Sequence, residues 1–170
     1  AEETKYAALL MKGTAVEGDE VAMTLRAPES KTEGTSFEAF CRITNGGSLS
    51  FETPEGTKLS ETVCALTDGI YRIVYNTTAK SFTSLAITRA GIVGNVTTAG
   101  WNAAGVALTY RGNGVWRDTL DLVAYTGSDA ERGQFCFNSS WDYTVKARNG
   151  VEGIVGFKPD QEDCGYGVED

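Results

Sequence analysis

The sequence predicts an all-β chain made of two small β-sandwich domains, residues 1–88 and 89–170. Three observations predict it. First, the string Gly47-Ser-Leu49-Ser-Phe51 recurs 86 positions later as Gly133-Gln-Phe135-Cys-Phe137, and Leu10-Met-Lys-Gly13-Thr recurs loosely, 81 positions later, as Gly91-Ile-Val-Gly94-Asn. Two similar stretches in the same order point to two copies of one structural unit. Second, short alternating apolar runs are separated by turn residues at regular spacing, the pattern of a sandwich. Third, 20 Gly against 3 Pro supply many turns, and 10% aromatic with 41% hydrophobic residues can fill two cores. The first copy continues through Gly69-Ile-Tyr-Arg-Ile-Val-Tyr75 and a following strand. The second reaches Asp170 before any equivalent, so it is expected to lack its last strands or to have them outside this sequence.

The elements follow in order. Tyr6–Met11 opens the first unit. Glu20–Leu25 follows, with Val21, Met23 and Leu25 alternating. In Phe37–Ile43 the residues Phe37, Ala39, Cys41 and Ile43 share one face, and Glu38, Phe40 and Arg42 the other. Gly46-Gly47 turns the chain into Leu49 and Phe51, and Pro54-Glu-Gly56 makes the next turn. Ile70–Tyr75 is a strand, Asn76–Lys80 its hairpin turn and Phe82–Ile87 the return strand. Ala90–Gly94 starts the second unit, with the boundary near Thr88–Ala90. The one helical candidate is a single turn near Gln161–Cys164. Glu17–Glu20, Glu29–Gly34 and Thr126–Arg132 read as exposed loops.

Charge and missing residue types exclude several functions. A net charge of −8, with fifteen scattered Lys and Arg, argues against nucleic acid, which needs clustered cations. The acidity itself keeps the chain soluble and leaves neutral ligands such as sugars open. There is no histidine, which removes the commonest general base and metal ligand. Cys41, Cys64, Cys136 and Cys164 lack the close paired spacing of a zinc site. No phosphate-cradling Gly-Lys-Ser/Thr loop is present. The 23 acidic residues contain many pairs, but no pair is singled out for glycoside hydrolysis. The chain is therefore expected to have no catalytic residue, no metal and no cofactor. No apolar run reaches the ~20 residues of a membrane helix, and Ala1-Glu-Glu-Thr reads as a mature or trimmed start.

The string Gly69-x-Tyr71-Arg-Ile-Val, a turn, a strand, then Ile92-Val-Gly94-Asn-Val-Thr-Thr-Ala-Gly100-Trp101-Asn102 resembles the domain junction of SusE/SusF-type outer-membrane carbohydrate-binding proteins. Gly114-Val-Trp116, Leu120-x-Leu122, Gly133-Gln-Phe135-Cys-Phe137 and Trp141 extend the resemblance. It covers Ile70 to Trp141 best and Tyr6 to Phe51 more loosely. It implies tandem immunoglobulin-like domains and a non-catalytic surface lipoprotein of a glycan-uptake system. The expected partners are a polysaccharide or oligosaccharide and an outer-membrane transporter complex, with no nucleic acid. The expected location is the cell outer membrane, surface-exposed, held by a lipid anchor outside this sequence. The first unit has Val16-Glu-Gly-Asp19 where the second has its Gly-Trp, and Cys136 stands where the family has a basic residue.

All three tryptophans lie in the second unit, and aromatic rings cover the flat C–H faces of sugars. Trp116 shares a strand face with Leu120 and Leu122 and is expected in the core. Trp101, in a Gly-flanked turn beside Asn102, either caps its loop or offers a ligand platform. Trp141, between Asn138-Ser-Ser and Asp142-Tyr143, either closes the end of the sandwich or is the platform. Lys146 and Arg148 lie two positions apart on the next strand and read as a solvated face within reach of a sugar. The candidate ligand-binding residues are thus Trp101, Asn102, Trp141, Lys146 and Arg148. In the first unit Phe37 and Phe51 read as core, while Phe40 and Tyr75 fit either face.

Within-unit pairing would join Cys41 to Cys64 and Cys136 to Cys164, and the implied export permits disulfides. Alternation puts Cys41 on a core face and Cys136 between two inward Phe residues, so the pairs are not equivalent and at least one unit is expected to keep free thiols. Two functional classes remain: the glycan-binding surface protein, and a structural or adhesive β-sandwich subunit such as a pilus component, whose incomplete sandwich would accept a partner's strand.

Overall fold

The computed structural model describes residues 3–26, 32–94, 97–121, 123, 133–140 and 144–147, the last four and residues 133–134 by backbone alone. The chain divides into two compact units: Ala1–Ile87 with Arg111–Val115, and Thr88–Tyr110 with Trp116–Asp170. The described residues are all-β, apart from a single 3-10 turn at Glu17–Asp19. Gln161–Cys164 lies outside them. Among the described residues no helix is long and apolar enough to cross a membrane.

The first unit contains β1 (Leu10–Lys12), β2 (Glu20–Ala22), β3 (Thr24–Leu25), β4 (Ser36–Ile43), β5 (Ser48–Glu52), β6 (Lys58–Val63), β7 (Gly69–Asn76) and β8 (Ser81–Ala86). They form two four-stranded antiparallel sheets, ordered β2-β1-β5-β6 and β3-β4-β7-β8. Alternation explains the faces. Phe37, Ala39, Cys41 and Ile43 on β4 are buried, as are Tyr71, Ile73 and Tyr75 on β7. They join Met11, Leu49 and Phe51 of the other sheet in one core. Phe51 stacks on Tyr75 across the sandwich, with ring centroids 4.0 Å apart. The Tyr75 hydroxyl shares a 2.8 Å hydrogen bond with Ser60 Oγ, so the buried phenol keeps a polar partner. Tyr75 is therefore core, whereas Phe40 is half-buried on the opposite face.

Several elements differ from expectation. Tyr6 makes only an isolated bridge to Gly34, and the regular strand begins at Leu10. Glu20–Leu25 is not one strand: it breaks at buried Met23, whose N–H donates to Leu9 O at 2.9 Å, and there the chain passes from one sheet to the other. The strand β6 has no apolar alternation and was not expected. It is an edge whose backbone pairs with β5 while most of its side chains face solvent. Glu17 is not a loop residue in solvent. Its Oε1 accepts the Arg42 N–H at 2.8 Å and its Oε2 the Asn113 N–H at 2.9 Å. β3 begins only at Thr24, opposite Glu38, so the carboxylate satisfies a donor farther along β4 that β3 does not reach.

In the second unit, β9 (Ala90–Val93), β10 (Val106–Leu108), β13 (Gly133–Phe137) and β14 (Thr144–Ala147) form an antiparallel sheet ordered β10-β9-β13-β14. β11 (Tyr110–Gly112) and β12 (Val115–Trp116) form a two-stranded ribbon. Leu120 falls outside any strand, so it does not share a strand face with Trp116; Leu122 lies outside the described residues. Trp116 is half-buried, its ring centroid 4.9 Å from that of Tyr110 and 5.7 Å from that of Phe137.

Cys41, Cys64 and Cys136 are buried free thiols. The proposed Cys41–Cys64 bridge is not formed, and Cys164 lies outside the described residues. Burial pushes the Cys41 thiol up to about 12, so it stays protonated and unreactive at neutral pH.

Candidate functional site

The sheet β10-β9-β13-β14 repeats the order β2-β1-β5-β6, and the connections after β1 and β9 start alike. Gly13 N–H donates to Asp19 O, Val16 N–H to Gly13 O and Asp19 N–H to Val16 O, at 3.0, 3.1 and 2.8 Å. Gly94 N–H donates to Gly100 O, Thr97 N–H to Gly94 O and Gly100 N–H to Thr97 O, at 2.8, 3.1 and 3.2 Å. The backbone angles agree as well: φ is 130° at Gly13 and 120° at Gly94, and 67° at Asp19 and 64° at Gly100. Only glycine takes the first of these values without strain, and a Cβ on Gly13 would stand 2.1 Å from Ser48 O. Gly13 is thus the structural counterpart of Gly94, as the weak sequence repeat indicated.

The second string of the repeat is corrected by the register. Met11 pairs with Phe51, and its counterpart Ile92 pairs with Phe135. The turn after each strand agrees, since Gly56 N–H donates to Thr53 O and Ser140 N–H to Phe137 O. Phe51 therefore corresponds to Phe135, not to Phe137, and Leu49 corresponds to Gly133 rather than Phe135.

After the shared turn the two connections diverge. Ten positions separate Met11 from its partner Val21, and fourteen separate Ile92 from Val106, so the second connection is four residues longer. The extra residues are Trp101-Asn102-Ala103-Ala104. They are held as a defined loop. Asn102 Oδ1 accepts the Ala104 N–H at 3.0 Å, and Asn102 O accepts the Gly105 N–H at 2.8 Å. Asn102 favours this local turn because its short side chain mimics a backbone carbonyl. From outside the loop, Arg89 Nε donates to Ala104 O at 2.9 Å and Nη2 to Gly105 O at 3.2 Å.

The loop closes over an apolar seat. Val93 is 0% exposed, and a Cβ on Gly105 would lie 2.8 Å from Val93 Cγ1 and 2.5 Å from Ile92 O. The corresponding residue in the first unit is Lys12, which ion-pairs with Glu20 at 3.2 Å and Glu52 at 3.0 Å. Those hydrogen bonds, the one to Glu52 foremost, hold the Lys12 ammonium above its ordinary pKa. Cys136 takes the place of Glu52. It is buried, its Sγ donates to Ser140 O at 3.1 Å, and burial pushes its thiol up.

Trp101 is 47% exposed. Asn102 is exposed beside it; its carboxamide oxygen accepts the Ala104 N–H, which fixes the carboxamide and directs its Nδ2 donor outward from that bond. Lys146 lies on β14 opposite Gln134, which is opposite Val93, so all three share one register row. Trp141 and Arg148 lie outside the described residues. Trp116 is packed against rings rather than presented. Arg89 was missed by sequence reasoning because its contacts reach 15 and 16 positions along the chain. The loop's extra length was visible in principle, once Gly13 was matched to Gly94. Among the described residues no group of three His, Cys, Asp or Glu is placed to hold a metal ion. No protein-family model, no curated protein and no solved structure matches the chain.

Proposed function

We propose that the chain is a non-catalytic glycan-binding surface protein of the SusE/SusF type, capturing a polysaccharide or oligosaccharide for an outer-membrane uptake system. In this reading it is built of tandem immunoglobulin-like domains, and the second unit makes the contact. The observation that carries the reading is the exposed Trp101 on a braced four-residue insertion that the first unit lacks. A ring carried on a braced loop stacks on a sugar face at a reduced ordering cost. The donor beside it, Asn102 Nδ2, suits the oxygen acceptors of a neutral sugar. Lys146 stands two strands from Val93, about 10 Å at the usual strand spacing. That distance is within the span of a short oligosaccharide.

Stacking supplies most of the affinity. A Trp buries at most about 250 Å², of which roughly half is open at Trp101, so covering it contributes about 2–3 kcal/mol. Each hydroxyl hydrogen bond largely exchanges with water and nets about 1 kcal/mol. The test is affinity electrophoresis in a panel of soluble neutral polysaccharides, with reducing-end assays alongside. The parent is retarded by at least one glycan, Trp101→Ala loses that retardation, and no reducing ends accumulate. Retention by Trp101→Ala sinks the Trp101 site. A parent retarded by none of the glycans, and polymerising as concentration rises, identifies a structural subunit instead.

A further inference from the structure

We propose that Arg89 is a positioning residue for the Trp101 loop, acting on the platform without touching the ligand. The proposal rests on the reading of Trp101 as a platform only for its consequence on binding; the bracing itself is independent of it. The guanidinium donates from Nε and Nη2 to two consecutive carbonyls, Ala104 O and Gly105 O. Consecutive carbonyls of an extended strand point to opposite sides, so one group does not ordinarily reach both. Gly105, at φ 60°, turns the chain so that they converge. A planar fork of N–H donors matches two neighbouring oxygens, and a lysine ammonium, a point charge, does not.

Arg89 is itself anchored in the sheet. Its carbonyl accepts the Asn138 N–H at 2.8 Å, and Asn138 Oδ1 accepts the Thr88 N–H at 2.8 Å. The Arg89 side chain therefore links the start of β9 and the turn after β13 to the end of the loop. The Asn102 contacts close the loop on itself, whereas the Arg89 contacts fix it to the sheet. The first unit has no such loop to brace, because its β2 begins directly after Asp19.

The test is amide hydrogen exchange on the parent, Arg89→Ala and Arg89→Lys, without ligand. Both variants exchange the Ala104 and Gly105 amides about tenfold faster than the parent, while β9 and β13 change little. Unchanged rates at Ala104 and Gly105 overturn the proposal. So does an equal rise across β9 and β13, which marks general destabilisation. If Arg89→Ala does not fold, Arg89→Lys decides: it loosens the same two amides if the clamp is real. With a glycan that retards the parent through Trp101, Arg89→Lys weakens retardation roughly tenfold, in step with the local loosening. If no glycan retards the parent, the functional reading fails while the exchange experiment still decides the role of Arg89.

Discussion

The two units solve one structural problem with the same sheet and put different chemistry on it. Both order their strands alike, and both start the first connection with a glycine at strongly positive φ and three matching hydrogen bonds. The first unit then turns straight into β2 and covers the outer face of β1 with the Lys12, Glu20 and Glu52 ion pairs. The second inserts four residues, replaces Lys12 by buried Val93 and Glu52 by buried Cys136, and leaves a tryptophan half exposed. A connection can lengthen at small entropic cost when the strands it joins are already paired. The departure from the shared scaffold is therefore where binding chemistry is best sought.

The reciprocal exchange at the seat gives the largest effect. Val93→Lys gives the second unit the first unit's residue beneath a loop that has closed over it. Neither Cys136 nor Gly105 offers a carboxylate where Glu52 and Glu20 do. An unpaired charge left in an interior costs on the order of 3–5 kcal/mol. The urea midpoint of the unfolding transition should fall accordingly. An unchanged midpoint would show that the seat opens readily and that the contrast between the units is cosmetic.

Removing Trp101–Ala104 sharpens the same contrast by giving the second connection the length of the first. Closing a shorter loop alters stability by well under about 1 kcal/mol. Binding loses the whole stacking contribution of about 2–3 kcal/mol, thirtyfold or more in affinity. Affinity electrophoresis and a thermal melt on one preparation separate the two effects. A shortened protein that still binds would place the site elsewhere in the chain.

Glu17 has no equivalent in the second unit, where Thr98 holds the corresponding place. Its carboxylate accepts two backbone N–H groups, from Arg42 and Asn113. Glu17 is only half-buried, so water replaces part of what is lost. Glu17→Ala should cost about 1–2 kcal/mol, read as a lower midpoint and faster exchange of the Arg42 amide. Unaltered exchange at Arg42 would remove the carboxylate from the account of how the β4 edge is satisfied.

How far these features were legible in the sequence depended on what the pattern encodes. β4 was legible because Phe37, Ala39, Cys41 and Ile43 alternate without interruption. β6 was not, because an edge strand is held by its backbone pairing and Lys58-Leu-Ser-Glu-Thr-Val63 records little of that. Matching Phe51 to Phe137 failed for a physical reason. A one-residue slip sends every side chain to the wrong face, but a two-residue slip preserves all the faces, so apolar alternation does not detect it. Only the ladder partners, Met11 with Phe51 and Ile92 with Phe135, resolve it. Trp101 was legible as a Gly-flanked aromatic beside Asn. The bracing of its loop by Arg89 and the closure of that loop on Val93 at Gly105 were not, since both arise from pairing across the sheet.

The smallest effect belongs to the other half of the exchange, Lys12→Val. Lys12 holds two carboxylates, but it sits at the surface, and exposed ion pairs contribute little once side-chain ordering and screening are counted. At neutral pH and moderate salt the midpoint of Lys12→Val should lie close to that of the parent, and raising the salt should narrow the remaining gap. The pH dependence has a definite sign. The folded pKa of Lys12 is raised above the ordinary 10.5, the hydrogen bond to Glu52 contributing most. The stabilisation is therefore fully present below 10.5 and is lost as pH rises through the higher folded value. Parent and variant should converge there, in urea midpoints taken from pH 8 upward. A gap that persists at high pH would mean that the lysine stem, packed over β1 and β5, stabilises the sheet more than its charge does. In that case the two units differ less than their residues indicate, since Lys12 and Val93 would both act through apolar contact.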